Sequence, residues 1–305
     1  MKHFSCTVGL AISLAGTLGA TLAPSTSLAG TTVFEAGRPI HMFPARSSAQ
    51  PQTVSPSTVT PPSVSCAQFP GGIEYHGGPV IHKALQKSLW WGPSGFDPDV
   101  QSHVSKFFGR FGKSEEYETI TQYGDSRGLI QRTKLSKSHK TDPSVPPATV
   151  TDADAQAEII ANLVTGKLGK PNEDAIYYLF LPDGVTSIAG GATSCVDYCA
   201  YHSYFLLNGM MIKYAVVPYP SCSVCQGYDQ DGLSTAAASM TIFTAHETRE
   251  AVTDALLDAW WDSSTGEEAD DKCAWQLFID DDGFQYQKEW SLAANTCVMK
   301  GICGP

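Results

Sequence analysis

The spacing of apolar residues divides this chain into short strands, a few helices and long polar connections. Leu85-Gln-Lys-Ser-Leu-Trp-Trp-Gly92 reads as a strand, and Asp97 to Phe111 has the period and the leading Asp of a capped amphipathic helix. Tyr117 to Gln122 reads as a second strand, Ser136 to Ala148 as a polar, proline-containing loop, and Asp152 as the cap of a helix reaching about Thr165. Ala175-Ile-Tyr-Tyr-Leu-Phe-Leu181 is apolar enough for a buried strand. Tyr201 to Leu207 and Met210 to Val217, joined by Asn208-Gly209, predict a hairpin, because Asn-Gly accepts the positive φ that a two-residue turn demands.

The longest helical pattern runs from Ser239 to Trp261. At about 100° per residue, His246, Glu250, Thr253 and Leu257 fall on one stripe, with Glu247 and Asp254 just beside it. Ile242, Val252, Leu256 and Trp260 form an adjoining apolar stripe, so the pattern predicts a core-facing seam next to an imidazole-carboxylate seam. The i, i+4 interval between His246 and Glu250 lets both side chains converge on one point, which is the reason helical metal sites use it. His246-Glu-Thr-Arg-Glu250 departs from the metalloprotease pattern H-E-x-x-H at its fifth position. Charged residues along such a helix also suit a plain solvated face, with His246 a structural histidine.

Strands and helices in mixed succession, then a hairpin, then a His-Glu helix, predict an α+β fold with a mixed sheet and a zincin-like, metallopeptidase-like layout. Met1-Lys2-His3, an apolar run through Ala23 and the small-residue site Ser27-Leu28-Ala29 predict a secretory signal peptide over residues 1–29. Residues 30–65 carry little hydrophobic periodicity and a long Ser/Thr/Pro tract, so they read as a linker or pro-segment. A single domain of about 240 residues, 66–305, can then bury a sizeable core. No later run reaches the roughly 20 apolar residues of a membrane span, so no anchor is expected and the protein should be extracellular.

A net charge of −11 argues against nucleic acid and anionic membranes as partners. Export into an oxidising compartment makes disulfides the expected state of Cys66, Cys195, Cys199, Cys222, Cys225, Cys273, Cys297 and Cys303. Cys195 to Cys199 and Cys222 to Cys225 could each close locally or bridge to one another, and Cys273 could join Cys297 or Cys303.

If the helix is catalytic, physical requirements assign the roles. His246 and Glu250 supply two metal ligands, and Glu268, Asp271 or Asp254 a third, the first two from an acidic turn that ends at Cys273. Glu247 is then the general base that takes a proton from the attacking water. One histidine with two carboxylates is a harder donor set than zinc usually has, so calcium and manganese stand as alternatives to zinc. His202 is an additional candidate for the same cleft. The oxygen-rich turns Asp229-Gln-Asp231 and Asp280-Asp-Asp282 lack the bidentate Glu of an EF-hand.

Several segments in one order carry a further signal: Tyr75-His-Gly-Gly-Pro-Val-Ile81, Leu89-Trp-Trp-Gly92, Tyr177-Tyr-Leu-Phe-Leu-Pro182, Cys195-x3-Cys199-Ala-Tyr-His202, Lys213-Tyr-Ala-Val-Val217, Cys222-Ser-Val-Cys225 and the His246-Glu247 helix. Together they resemble the phosphate-induced/EXORDIUM family of secreted proteins, over nearly the whole domain. The resemblance implies an H-E-x-x-E site at His246, Glu247 and Glu250, and an acidic turn E-x-x-D-x-C at Glu268, Asp271 and Cys273. It also implies a role at the plant cell wall, from which this chain departs at Asp254-Ala255, where Asn-Pro is usual, and in its Ser/Thr/Pro tract. Two functions follow as expectations. One is a secreted metal-dependent hydrolase, above all a peptidase, acting on a peptide or cell-wall substrate. The other is a non-catalytic extracellular protein in which the same residues are structural.

Overall fold

Residues 30–46, 72–94, 96–135 and 139–301 are described by the computed structural model. The expected signal peptide, Cys66, Cys303 and the Ser/Thr/Pro tract lie outside them. Seven strands build one mixed sheet: Thr31–Glu35 (β1), Arg38–Pro44 (β2), Leu85–Trp91 (β3), His139–Asp142 (β4), Ala175–Phe180 (β5), Tyr198–Leu207 (β6) and Met210–Val217 (β7), in the order β1-β2-β6-β7-β5-β3-β4. β7, β5, β3 and β4 run parallel to one another, whereas β6 is antiparallel to both β2 and β7. The expected α+β class with a mixed sheet is therefore present.

Alternation along the strands sends successive side chains to opposite layers. Trp90, Ile176, Tyr178, Phe180, Ala215 and Val217 enter a core shared with the helices Pro98–Arg110 (α1) and Thr235–Thr253 (α3). Leu89, Tyr177, Leu179, Tyr214 and Val216 enter a second core, on the side of the helix Asp152–Val164 (α2). The Asn208-Gly209 turn has φ of 51° and 85°, as the hairpin prediction required. Asp97 caps α1 by accepting the Asp99 N–H at 2.9 Å.

The structure corrects five of the sequence expectations. Residues 31–44, assigned to a linker, are β1 and β2, and β2 pairs with β6 inside the sheet. Tyr117 to Gln122 is helical, a turn Glu115–Glu118 followed by a 3-10 turn Thr119–Gln122. Its buried residues Tyr117, Ile120 and Tyr123 recur every three positions, which is a helical interval, and Ser114 caps it through the Tyr117 N–H. His139–Asp142, placed in a loop, is an edge strand parallel to β3. The cap of α2 is Thr151 in a capping box with Asp154, while Asp152 turns inward and accepts the Tyr201 hydroxyl at 3.1 Å.

The fifth correction concerns α3. It starts at Thr235 behind the cap Ser234 and ends at Thr253, so Leu256, Leu257, Trp260 and Trp261 lie beyond it. It has no solvated face. The sheet covers one side, α1 another, and a hairpin of Leu277–Ile279 with Gln285–Gln287 covers the rest, so every residue from Ala236 to Thr253 is buried. Trp260–Trp261 instead forms a short antiparallel pair with Glu74–Tyr75.

Among the described residues, three disulfides fasten these layers. Cys195 joins Cys222 and Cys199 joins Cys225, the bridged-across arrangement of the two left open, and Cys273 joins Cys297. Among the described residues, no helix is long and apolar enough to cross a membrane.

Candidate metal centre

Where α3 crosses the sheet, three elements and one turn bring seven ionisable side chains together. α3 supplies His246, Glu247 and Glu250, and β6 supplies His202. The turn around the 3-10 segment Asp271–Cys273 supplies Glu268 and Asp271. The seventh is His41 of β2, which sequence reasoning missed. His41 and His202 occupy directly paired positions on neighbouring antiparallel strands, with ring centroids 5.6 Å apart, so strand register alone places both rings under the helix.

Three imidazoles surround one carboxylate oxygen. Glu250 Oε2 lies 2.9 Å from His246 Nε2, 3.7 Å from His202 Nδ1 and 4.0 Å from His41 Nε2. Asp271 Oδ2 is 2.5 Å from His41 Nε2, and Asp271 Oδ1 is 3.7 Å from His246 Nε2. Glu268 Oε1 sits behind two rings, 3.4 Å from His41 Nδ1 and 3.7 Å from His202 Nε2. Glu247 Oε2 lies 3.0 Å from His202 Nδ1, and Thr32 Oγ1 lies 2.8 Å from His41 Nδ1. The Asp271 N–H donates to Glu250 Oε1 at 3.2 Å, and Asp271 Oδ2 accepts from the Glu268 N–H at 3.1 Å, so the acidic turn is locked to the helix.

None of the seven side-chain-bearing residues is more than 4% exposed. Six buried polar atoms here make no hydrogen bond of good geometry: His202 Nε2, Glu247 Oε1, Glu268 Oε2, Asp271 Oδ1, and the pair His246 Nε2 and Glu250 Oε2, which face each other at 2.9 Å. Buried polar groups are normally satisfied, so this concentration in one place is a donor set that a cation could satisfy. Two sets, His41 with Glu250 and Asp271, and His202 with Glu247 and Glu250, bring ligand atoms close enough to hold a metal ion. Imidazole nitrogens with carboxylate oxygens suit zinc or manganese.

The electrostatics agree. Burial pushes the Glu247 carboxyl well above the usual carboxylate range, opposed by His246 and reinforced by Glu250. Burial does the same to Glu250 and Glu268, with neighbouring carboxylates adding to it. Burial also drives His202 well below the ordinary histidine value, helped by His41 and His246. For His41, burial pulls downward, but the charge and hydrogen bond of Asp271 outweigh it and the net shift is upward. Burial thus favours the neutral form of these three carboxyls, and a divalent ion would oppose that preference.

A polar layer lies behind His246. Gln287 Nε2 is 3.0 Å from His246 Nδ1 and donates to the Asp270 carbonyl at 2.7 Å, and Asp270 in turn accepts from Arg249 Nε at 2.9 Å. Arg249 Nε also lies 2.6 Å from Glu289 Oε2, so this buried guanidinium is already engaged by two carboxylates outside the cluster.

Of the residues singled out from sequence, His202, His246, Glu247, Glu250, Glu268 and Asp271 come together, and Asp254 borders them, its charge acting on Glu268, with one oxygen committed to backbone. Asp254 Oδ1 accepts the N–H groups of Asp258 and Ala259, each at 2.6 Å, and so closes the end of α3; burial raises its carboxyl to about 6. Cys195, Cys199, Cys222 and Cys225 are consumed in disulfides, which removes them as metal ligands. Asp280 Oδ1 accepts from the Asp282 and Phe284 N–H groups, an ordinary turn arrangement. No family model, curated protein or solved structure matches the chain.

Proposed function

We propose that the cluster is the divalent-metal centre of a secreted, EXORDIUM-like hydrolase with a zincin-like arrangement, and that peptides are its substrate class. The observation that carries the metal part is the convergence on Glu250 of buried imidazole and carboxylate atoms, six of which make no hydrogen bond of good geometry. A His-Glu helix laid across a mixed sheet supports the zincin-like layout, and three disulfides support an oxidising, extracellular setting. A bound divalent cation would supply a Lewis acid for polarising a carbonyl. His41, His246, Glu250 and Asp271 would hold it. Glu247 would take up a proton at Oε1, its unpartnered oxygen, while Oε2 stays fixed against His202 Nδ1.

A second reading has its own observation. Every donor is almost fully buried, which suits an ion that ties β2, β6, α3 and the acidic turn together without meeting substrate. Elemental analysis of protein purified without added ions tests the metal, and cleavage of a random peptide library tests the hydrolase. His246→Ala should lose metal. Metal without cleavage leaves the structural reading standing, and a metal-free wild type whose folding is indifferent to chelator removes both.

A further inference from the structure

We propose that the centre takes two divalent cations that share Glu250. This rests on the metal reading above and adds the number of ions to it.

The donors fall into two groups, each built on a different strand. His41 of β2 groups with Glu250 and Asp271, and His202 of β6 groups with Glu247 and Glu250, with one donor atom from every residue of a group within 4.8 Å of the others. His246 belongs with the first, because its Nε2 approaches both Glu250 Oε2 and Asp271 Oδ1. Atoms bound to one ion at about 2.1 Å lie roughly 3 to 3.5 Å from each other. His246 Nε2 to Glu250 Oε2 at 2.9 Å and His202 Nδ1 to Glu247 Oε2 at 3.0 Å bracket the short end of that span, but they lie in different groups. Glu250 Oε2 is the corner common to both. Lying 4.0 Å from His41 Nε2 and 3.7 Å from His202 Nδ1, it is placed to bridge a pair of ions about 3.5 to 4 Å apart.

Charge leads to the same count. Glu247, Glu250, Glu268 and Asp271 carry four negative charges when ionised, all of them buried. Arg249 is committed to Asp270 and Glu289 and cannot compensate them. One divalent ion would leave two of these charges buried and unmatched, which desolvation disfavours. Two divalent ions match all four.

Glu268 then has a positioning role. It stands on the outer side of both rings, toward His41 Nδ1 and His202 Nε2, where an outer carboxylate fixes the orientation of a ligating imidazole. With the second ion bound, Glu247 Oε2 and His202 Nδ1 would both face that ion in place of their present mutual contact, and Oε1 would remain for the proton.

The test is stoichiometry. Metal-free protein is loaded with Zn2+, dialysed and analysed for metal per chain, and the same protein loaded with Mn2+ is examined by electron paramagnetic resonance. Two equivalents of zinc and the multiline signal of a spin-coupled manganese pair are expected. Glu247→Gln, nearly isosteric, should retain one equivalent and give an uncoupled signal, as should His202→Ala. Should His202→Ala not fold, Glu247→Gln decides. One equivalent in the wild type overturns this inference and leaves the metal reading intact, whereas no retained metal overturns both.

Discussion

Single residues decide whether the proposed centre can form, and two positions expose this most directly. Gly30 has φ +32°, and a Cβ built on it would fall 2.0 Å from Asp271 Oδ2. Asp271 is held by His41 and the Glu268 N–H and cannot move aside without leaving the cluster. Gly30→Ala should therefore weaken zinc affinity by tenfold or more while α3 and the sheet remain folded, which isothermal titration alongside circular dichroism would check. His41→Ala should cost at least as much, and unchanged affinity there would exclude β2 from the centre. The helix pair His246 and Glu250 was legible because its interval of four is a geometric statement in itself. His41 was not, because a strand histidine gains meaning only from the strand it faces, and that pairing joins residues 161 positions apart (202 − 41). The local signal was present as alternating Ile40 and Met42 against His41 and Phe43, but it was too short to outweigh the polar tract that follows.

Elements show which physical cue wins when two compete. The intervals in Tyr117, Ile120 and Tyr123 and the cap at Ser114 were readable as helix, yet the aromatic and β-branched content of the segment pointed to strand. For α3 the period was read correctly and its environment was not. Periodicity reports a polar face but not whether that face meets water or buried partners, and here His246, Glu247, Arg249 and Glu250 all meet partners from β2, β6 and the turns after the helix. The apolar contacts of the N-terminal hairpin are correspondingly important. Phe43 is fully buried, with ring centroids 4.3 Å from His246 and 4.9 Å from Trp275. Phe43→Ala should destabilise by about 3 to 5 kcal/mol, the usual cost of removing a large buried ring. Opening one of the crossed bridges, by Cys199→Ala with Cys225→Ala, should cost about 2 to 4 kcal/mol, because the bridge closes a loop of 26 residues in the unfolded chain. Denaturant melts of both variants would show whether the hairpin belongs to the cooperative fold; a loss below about 1 kcal/mol for Phe43→Ala would mean that it does not.

At the scale of the whole molecule, acid should loosen the fold by a route separate from the metal. His103 on α1 packs 4.9 Å from the Phe284 ring with Nε2 buried and unpartnered. Burial, aided by Lys106 and opposed by Asp99, lowers it from 6.5 to about 4. Its folded value lies below its unfolded one, so the unfolded chain takes up the proton first as pH falls. The stability it contributes is complete above about pH 6.5 and is lost on descending toward pH 4. His103→Phe keeps the ring contact and removes the proton site, so the difference in melting temperature between variant and wild type should widen in the variant's favour across that window. The comparison is made in excess chelator, where metal binding adds nothing and the buried cluster's own proton linkage is common to both proteins and cancels in the difference. Without chelator, an ion that binds only the folded chain adds RT ln(1 + [M]/Kd), about 2.7 kcal/mol at a hundredfold excess over Kd. That stabilisation should appear as a rise in melting temperature that grows with the logarithm of added zinc, and it should vanish in Glu250→Gln. A difference in melting temperature between His103→Phe and wild type that stays constant from pH 7 to pH 4 would show that His103 has the same proton affinity in the folded and unfolded chains, and the acid sensitivity would then have to originate elsewhere.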